Sequence, residues 1–298
     1  MRVHDSATAP AWVAASNGTL LAALGVLAFS FTFPATSWGL EGFGPWSVAA
    51  VRCGLAAVIA GACLAVGRVP VPARAHWPGI AAVAGGVVIG FPFLSTLAVQ
   101  ASSTSHSAVI VGLLPLTTAM VSALRTGARP SHVFWAAAAC GAASVVAFAV
   151  VSSGGAPGAA DLYLAAALVA AAIGYAEGGR LAASIPGWQV IAWGLVAAAP
   201  LSIPLSVLAL AAEPVDAGPR ALAGMAVLGV VSQFGAFVAW YRGMGAIGVA
   251  RASQLQLAQP LLTLLWAVLL VGEEPTWAAL LAAVAVLICI AVTQRARA

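Results

Sequence analysis

The sequence predicts an all-helical integral membrane fold, with ten transmembrane helices arranged as two five-helix repeats of opposite topology. Three observations carry that expectation. Of the 298 residues, 62% are hydrophobic and 7% charged, with a mean hydropathy of +1.04. A soluble domain carries roughly 25% charged residues, so the solvent around most of this chain is lipid. The apolar residues fall into ten stretches, each close to the ~20 residues a helix needs to cross a hydrocarbon core of ~30 Å. Finally, one segment of the first half returns in the second with the charge of its loop reversed.

Cutting at charges and Gly/Pro clusters gives the spans in order. The first, roughly 17–38, ends at "GLEGFGP", the second, 44–66, at "GRVPVPAR", and the third, 76–99, at "QASSTS". The fourth, 105–124, stops at "RTGARP", the fifth, 131–152, at "SSGGAPGA", and the sixth, 160–181, at "ASIPG". The seventh, 187–210, runs into "EPVDAGPR", the eighth, 220–243, into "GMGAIG", the ninth, 249–271, into "GEEP", and the tenth, 276–294, into "RARA". The connections are short and leave no room for a soluble domain. The first apolar stretch is long enough for a retained helix, not a signal peptide. The chain divides into a first repeat, 1–155, and a second, 156–298.

All twelve basic residues are arginines. They are scattered singly between apolar runs, so the net charge of +4 does not describe a nucleic-acid surface. With the N-terminus cytoplasmic, Arg2, Arg68, Arg74, Arg125, Arg129, Arg180, Arg242, Arg251, Arg295 and Arg297 fall inside. Only Arg220 falls outside, and Arg52 sits within the second span. That bias places both termini in the cytoplasm. Glu41, Asp161, Glu213, Asp216, Glu273 and Glu274 gather outside. The four cysteines lie in apolar runs without CxxC spacing and read as packing residues.

A shift of 145 residues lays "PLTTAMVSALRTGARP" (115–130) over "PLLTLLWAVLLVGEEP" (260–275). Pro115 matches Pro260, Thr118 matches Thr263, Gly127 matches Gly272 and Pro130 matches Pro275. The connection is basic in the first copy and acidic in the second. Five spans per copy is an odd number, so the second copy enters the membrane upside down. Inverted repeats characterise secondary transporters, whose substrate site lies near mid-membrane between the halves.

"FPATSWGLEGFGPWSVAAVRCGLAA" and "GVARASQLQLAQPLLTLLWAVLLVGEEPTW" resemble the drug/metabolite transporter superfamily, in particular its ten-helix EamA-type exporters. The resemblance covers nearly the whole chain and includes Arg52 early in the second helix and Pro260, Gly272 and Glu273 in the ninth. Within the superfamily the chain looks most similar to bacterial exporters of aromatic and other neutral amino acids. The resemblance implies export and a bacterial inner-membrane location.

Polar residues inside the spans are the candidate site. Gln256, Gln259 and Thr263 share one helical face, whereas Gln254 points elsewhere. An amide facing hydrocarbon is costly, so this face meets protein or water. It is either an interhelical hydrogen-bonding surface or, the favoured reading, a cavity wall. Pro260 deprives the Gln256 carbonyl of its intrahelical donor, and Pro115 gives the fourth helix a matching hinge. On the eighth span Gln233, Phe237, Trp240 and Met244 form a stripe of core or cavity type. Phe33 and Thr36 beside Pro34, Phe91 and Ser95 around Pro92, and Tyr175 complete the candidate lining. An aromatic wall with a few amides suits an amphipathic solute.

Three charged or titratable residues remain open. Arg52 binds a carboxylate or snorkels outward to Glu41. Glu177 pairs with Arg180 or couples protons. His106 is a satisfied interfacial residue or a proton relay. No Walker lysine motif, HExxH, GxSxG or paired acidic clusters occur, so the sequence predicts no enzyme, metal or cofactor. The expected function is alternating-access export of aromatic and other neutral amino acids by a single chain in a lipid bilayer. Lipophilic drug-like or nucleotide-type metabolites are the alternative cargo. An intramembrane enzyme and a non-transporting scaffold are the rivals from other classes.

Overall fold

A computed structural model of the chain describes residues 11–127, 131–152, 158–247, 252, 255–274 and 276–295. Arg2, Arg129, Pro130, Arg251, Gln254, Pro275, Arg297 and the boundary between the two expected repeats lie outside the described residues. Eight helices are long and apolar enough to cross a membrane. They are α1 (Asn17–Leu40), α2 (Pro45–Val66), α3 (Arg74–Ala101), α4 (Thr104–Arg125), α5 (His132–Ser152), α6 (Ala159–Leu181), α7 (Gly187–Ala212) and α8 (Pro219–Ile247). Two shorter apolar helices follow, α9 (Ala258–Val271) and α10 (Trp277–Val292). The regular part of the ninth helix is shorter than the sequence suggests because Gln256 and Leu257 form a turn ahead of Pro260.

The prolines dictate where the helices depart from regularity. A proline lacks the N–H that its fourth-preceding carbonyl needs, and in lipid that carbonyl must find another donor. Pro34 withdraws the donor from Ser30 O, α1 breaks into a turn at Phe31, and the Thr263 hydroxyl of α9 donates to Ser30 O at 3.1 Å. Residues Ala84–Gly90 of α3 adopt the wider π pitch, in which Phe91 N–H bonds Gly86 O. The next bond of that register would come from Pro92 to Val87 O and cannot form. Instead the Gln233 Nε2 of α8 donates to Val87 O at 3.1 Å, and the Cys53 thiol of α2 donates to Val88 O at 2.9 Å. Each of these carbonyls is claimed by a side chain from a different helix.

Pro115 and Pro260 act alike. α4 turns at Gly112–Leu113 and α9 at Gln256–Leu257, each just ahead of its proline. The Gln256 carbonyl does not lose its partner, as the sequence alone suggests; the tightened turn lets Gln259 N–H donate to it at 3.1 Å. The two breaks face each other, since a Cβ on Gly112 would lie 3.2 Å from the Pro260 ring. Gly127 and Gly272, matched in the sequence alignment, end α4 and α9 in the same left-handed conformation, with φ of +68° and +81°. A glycine adopts that conformation without strain.

Helices from the two parts of the chain pack against each other, α2 with α7 and α3 with α6 in antiparallel sense. Gly54 of α2 meets Ser206 of α7 and Gly61 meets Val196, so numbering rises along one helix as it falls along the other. α3 crosses α6 at Gly86 and Gly174, where a Cβ on Gly86 would overlap the Ala170 carbonyl and one on Gly174 would lie 2.9 Å from Val87 N. Gly86 and Gly90 of α3 and Gly174 of α6 thus let the two helices approach closely. α1 packs on α8, and α5 on α10.

Candidate functional site

The helix ends have opposite character. At one end lie Arg68, Arg74, Arg125, Arg180, Arg242 and Arg295; at the other lie Glu41, Glu213, Asp216, Glu273 and Glu274. From the arginine-rich end a cavity of about 470 Å³ enters between α4, α6, α8 and the start of the ninth helix. That volume falls within the range of pockets that hold small ligands. Pro115, Tyr175, Trp240 and Gln256 line it, with Glu177, Arg125 and Arg180 near its mouth.

The cavity does not reach mid-bundle directly. Tyr175 also walls a closed chamber of about 30 Å³ containing Arg52, Phe91, Gln233, Phe237 and Gln259. Gln259 and Gln256 in turn border a void of about 10 Å³ between Pro115 and Pro260, with Phe33 and Thr263. The smaller spaces have room for about one or two waters and for no solute as they stand. Tyr175 and the glutamines are therefore shared walls between the entrance and the centre. Phe237 lies tilted 5.7 Å from Tyr175, stacks at 5.9 Å on Tyr241 and meets Phe29 edge-on at 4.8 Å, making an aromatic layer at this boundary.

Arg52 is the most consequential residue of the chamber. The alternative in which it snorkels to Glu41 is overturned: Arg52 is 1% exposed, its Nη2 donates to Gln233 Oε1 at 3.0 Å, and Glu41 pairs with Arg220 at 3.4 Å. The second helix simply turns Arg52 toward α8. Gln233 thereby bridges the guanidinium to the carbonyl left open by Pro92.

Glu177 pairs with Arg180 at 2.9 Å, as one sequence reading expects, and also with Arg125 of α4 at 2.7 Å. The second partner comes from the other part of the chain and carries no local sequence signal. His106 faces Asp161 of α6 at 2.7 Å near the acidic end, packs on Phe148, and borders an outer cleft remote from the central chamber.

Two expected lining residues are corrected. Thr36 donates to Thr32 O at 2.8 Å and Ser95 to Pro92 O at 3.3 Å. Both hydroxyls are spent on their own helix beside a proline and border none of the central spaces. Thr263 does border the proline void, but its hydroxyl serves Ser30 O and Gln259 O. Sequence reasoning missed Thr32 and Ser232, which bond each other at 2.7 Å beside Arg52. Hydroxyls in helices usually bond their own backbone, so periodicity gives no sign of such a pair.

The comparisons with known proteins agree with this architecture. The sequence pattern of the EamA-like transporter family matches twice, over residues 16–150 and 158–294. The chain belongs to the EamA-like transporter family, and is a membrane transporter of small molecules. It is 39% identical over 280 residues to the uncharacterized transporter YdeK of Bacillus subtilis (strain 168), covering 94% of this chain and 98% of that protein. A protein of known crystal structure shares the fold with a TM-score of 0.65 at 24% identity, over 93% of this chain and 96% of its own.

Proposed function

We propose that the chain is a secondary exporter of small amphipathic metabolites, with aromatic and other neutral amino acids as its cargo. It works in the bacterial cytoplasmic membrane as ten spans in two inverted halves, 1–155 and 156–298, with both termini cytoplasmic. The antiparallel contact of α2 with α7, and the position of Gly127 at the arginine-rich end of the bundle and Gly272 at the acidic end, support that inversion.

One observation carries the transport reading: a ligand-sized cavity from the arginine-rich end stops at an aromatic and amide layer around a closed central chamber. A solute enters beside Trp240 and Gln256, and the aromatic layer of Tyr175 and Phe237 parts to widen the chamber so that the solute reaches Gln233, Gln259 and Arg52. The facing breaks before Pro115 and Pro260 let α4 and α9 bend, closing the entrance and opening the acidic end. A single chain supplies both halves, so the cycle needs no second copy.

Proteoliposomes assayed with a radiolabelled amino-acid panel test the reading. Saturable flux of phenylalanine or tyrosine without chemical change is the expected result. A chemically altered product would instead indicate an enzyme, and flux confined to nucleotides or lipophilic drugs would replace the cargo. Surface labelling of single cysteines at 127 and 272 from the same side would overturn the inversion.

A further inference from the structure

We infer that Arg52 is the anion receptor of the central chamber and that the transported solute must carry a carboxylate. The inference rests on the transport reading above but names the group the site selects. The guanidinium is 1% exposed, yet only Nη2 has a partner, the neutral Gln233 amide. Its Nε and Nη1 are buried without a hydrogen-bond partner, and Arg52 lines the chamber. A buried cation left without a counter-ion is costly, and an unsatisfied donor on it adds to that cost.

No acid of the described residues supplies the missing charge. Glu41 holds Arg220, Asp161 holds His106, and Glu177 holds Arg125 and Arg180. Glu213 and Glu273 accept from backbone N–H groups at the starts of α2 and α4, and Asp216 and Glu274 line outer clefts at the acidic end, away from the chamber. The compensating anion therefore comes with the solute. A carboxylate accepts charge-assisted hydrogen bonds from the vacant donors, while Phe29, Phe91 and Phe237 offer an apolar surface for the remainder.

One buried positive charge matches one negative charge. A phosphomonoester dianion would leave an excess charge in the chamber, and an amine without an acid group would add a second cation beside the first. The site thus takes aryl or alkyl monocarboxylates and rejects cationic lipophilic compounds; an amino acid fits when its carboxylate lies on Arg52 and its ammonium is turned to the amide oxygen of Gln259. Gln233 is a positioning residue, fixing Arg52 through one end of its amide and Val87 O through the other.

Purified wild-type protein, Arg52→Gln and Arg52→Lys in nanodiscs are titrated with four probes sharing one ring: phenylalanine, phenylalanine amide, 3-phenylpropionate and phenethylamine. Binding is read by calorimetry and by the shift in Tm. In the wild type, phenylalanine and 3-phenylpropionate are expected to bind at least tenfold tighter than the amide and the amine. Arg52→Gln abolishes that preference, and Arg52→Lys restores part of it. Without ligand, Arg52→Gln should melt no lower than the wild type, because it removes an uncompensated charge; a purely structural arginine would give a lower Tm.

Equal binding of phenylalanine and its amide overturns the inference while leaving amino-acid export standing. Binding of 3-phenylpropionate but not phenylalanine, lost in Arg52→Gln, removes amino acids as cargo and supports the inference. Absence of any carboxylate-dependent Tm shift in folded wild-type protein also overturns it. If Arg52→Gln does not fold, Arg52→Lys decides through its weaker preference for the carboxylates, and an undiminished preference in that variant counts against the guanidinium.

Discussion

The two ends of the bundle are held together differently. At the acidic end several polar contacts join the first part of the chain to the second. The loop after α1 pairs with the loop after α7, with Asp216 N–H donating to Gly42 O at 2.7 Å and Phe43 bridging to Val215. The Glu213 carboxylate accepts from Ser47 N–H at 2.7 Å at the start of α2. The Glu273 carboxylate accepts from Thr104 N–H at 2.6 Å and Ser105 N–H at 2.8 Å at the start of α4. Arg220 and Trp38 both donate to Leu270 O, with the guanidinium over the Trp38 ring. At the arginine-rich end the Arg125–Glu177 pair crosses between the parts, beside an open cavity. The difference teaches how a duplicated bundle holds one state: carboxylates placed on helix N-termini complement the positive ends of the dipoles and close one side. The other side, rich in like charges, has fewer ways to zip.

The largest effect comes from prying the acidic end apart. A Cβ on Gly42 would overlap the Asp216 carbonyl, so Gly42→Val must separate the two loops. Flux in proteoliposomes is expected to fall at least about tenfold, equivalent to ~1.4 kcal/mol, with new labelling of cysteines at the acidic end. Unchanged flux and labelling would show that the loops do not seal that end.

The proline breaks test whether the two ends communicate. Pro260→Ala restores an N–H and lets the ninth helix run on through Gln256. Turnover should drop about fivefold with little change in substrate affinity, read as a kcat effect without a KM effect. Equal loss in both would assign Pro260 to binding.

Removing one carboxylate cap is milder. Glu273→Gln keeps the shape but loses the charge at the start of α4, costing the closed acidic end about 1 kcal/mol. Cysteine labelling near Ser102 should rise several-fold, and no rise would separate the cap from the seal.

The smallest effects pit the ends against each other. Arg220 and Arg125 are each about half exposed. The Arg220–Glu41 pair is exposed on both sides and contributes under about 1 kcal/mol, and the buried Glu177 keeps Arg180 when Arg125 is lost, so Arg220→Gln and Arg125→Gln should each change flux by less than about twofold. Their labelling changes should have opposite signs, Arg220→Gln favouring opening at the acidic end and Arg125→Gln at the arginine-rich end. Changes of the same sign would mean that the ends are not coupled.

Much of the candidate site could be read from the sequence where the signal was local. Gln256, Gln259, Gln233 and Phe237 stand out as amides and an aromatic at helical spacing in apolar runs, and they surround the central spaces. Pro115 and Pro260 mark helix breaks because a missing N–H acts within one turn. Thr36 and Ser95 misled because a hydroxyl near a proline has a carbonyl of its own helix within reach. The Arg125–Glu177 and His106–Asp161 pairs span 52 and 55 residues (177 − 125 and 161 − 106) and left no local trace.

The sequence by itself determined the environment and the repertoire: an apolar chain with few charges must satisfy its backbone within helices, and its motifs place it among EamA-like transporters. Tertiary structure alone decided the partners. Arg52 meets Gln233 while Glu41 meets Arg220, and the carbonyls opened by Pro34 and Pro92 meet Thr263, Gln233 and Cys53. The physical reason is that periodicity tells which residues share a face, whereas only packing tells which faces touch.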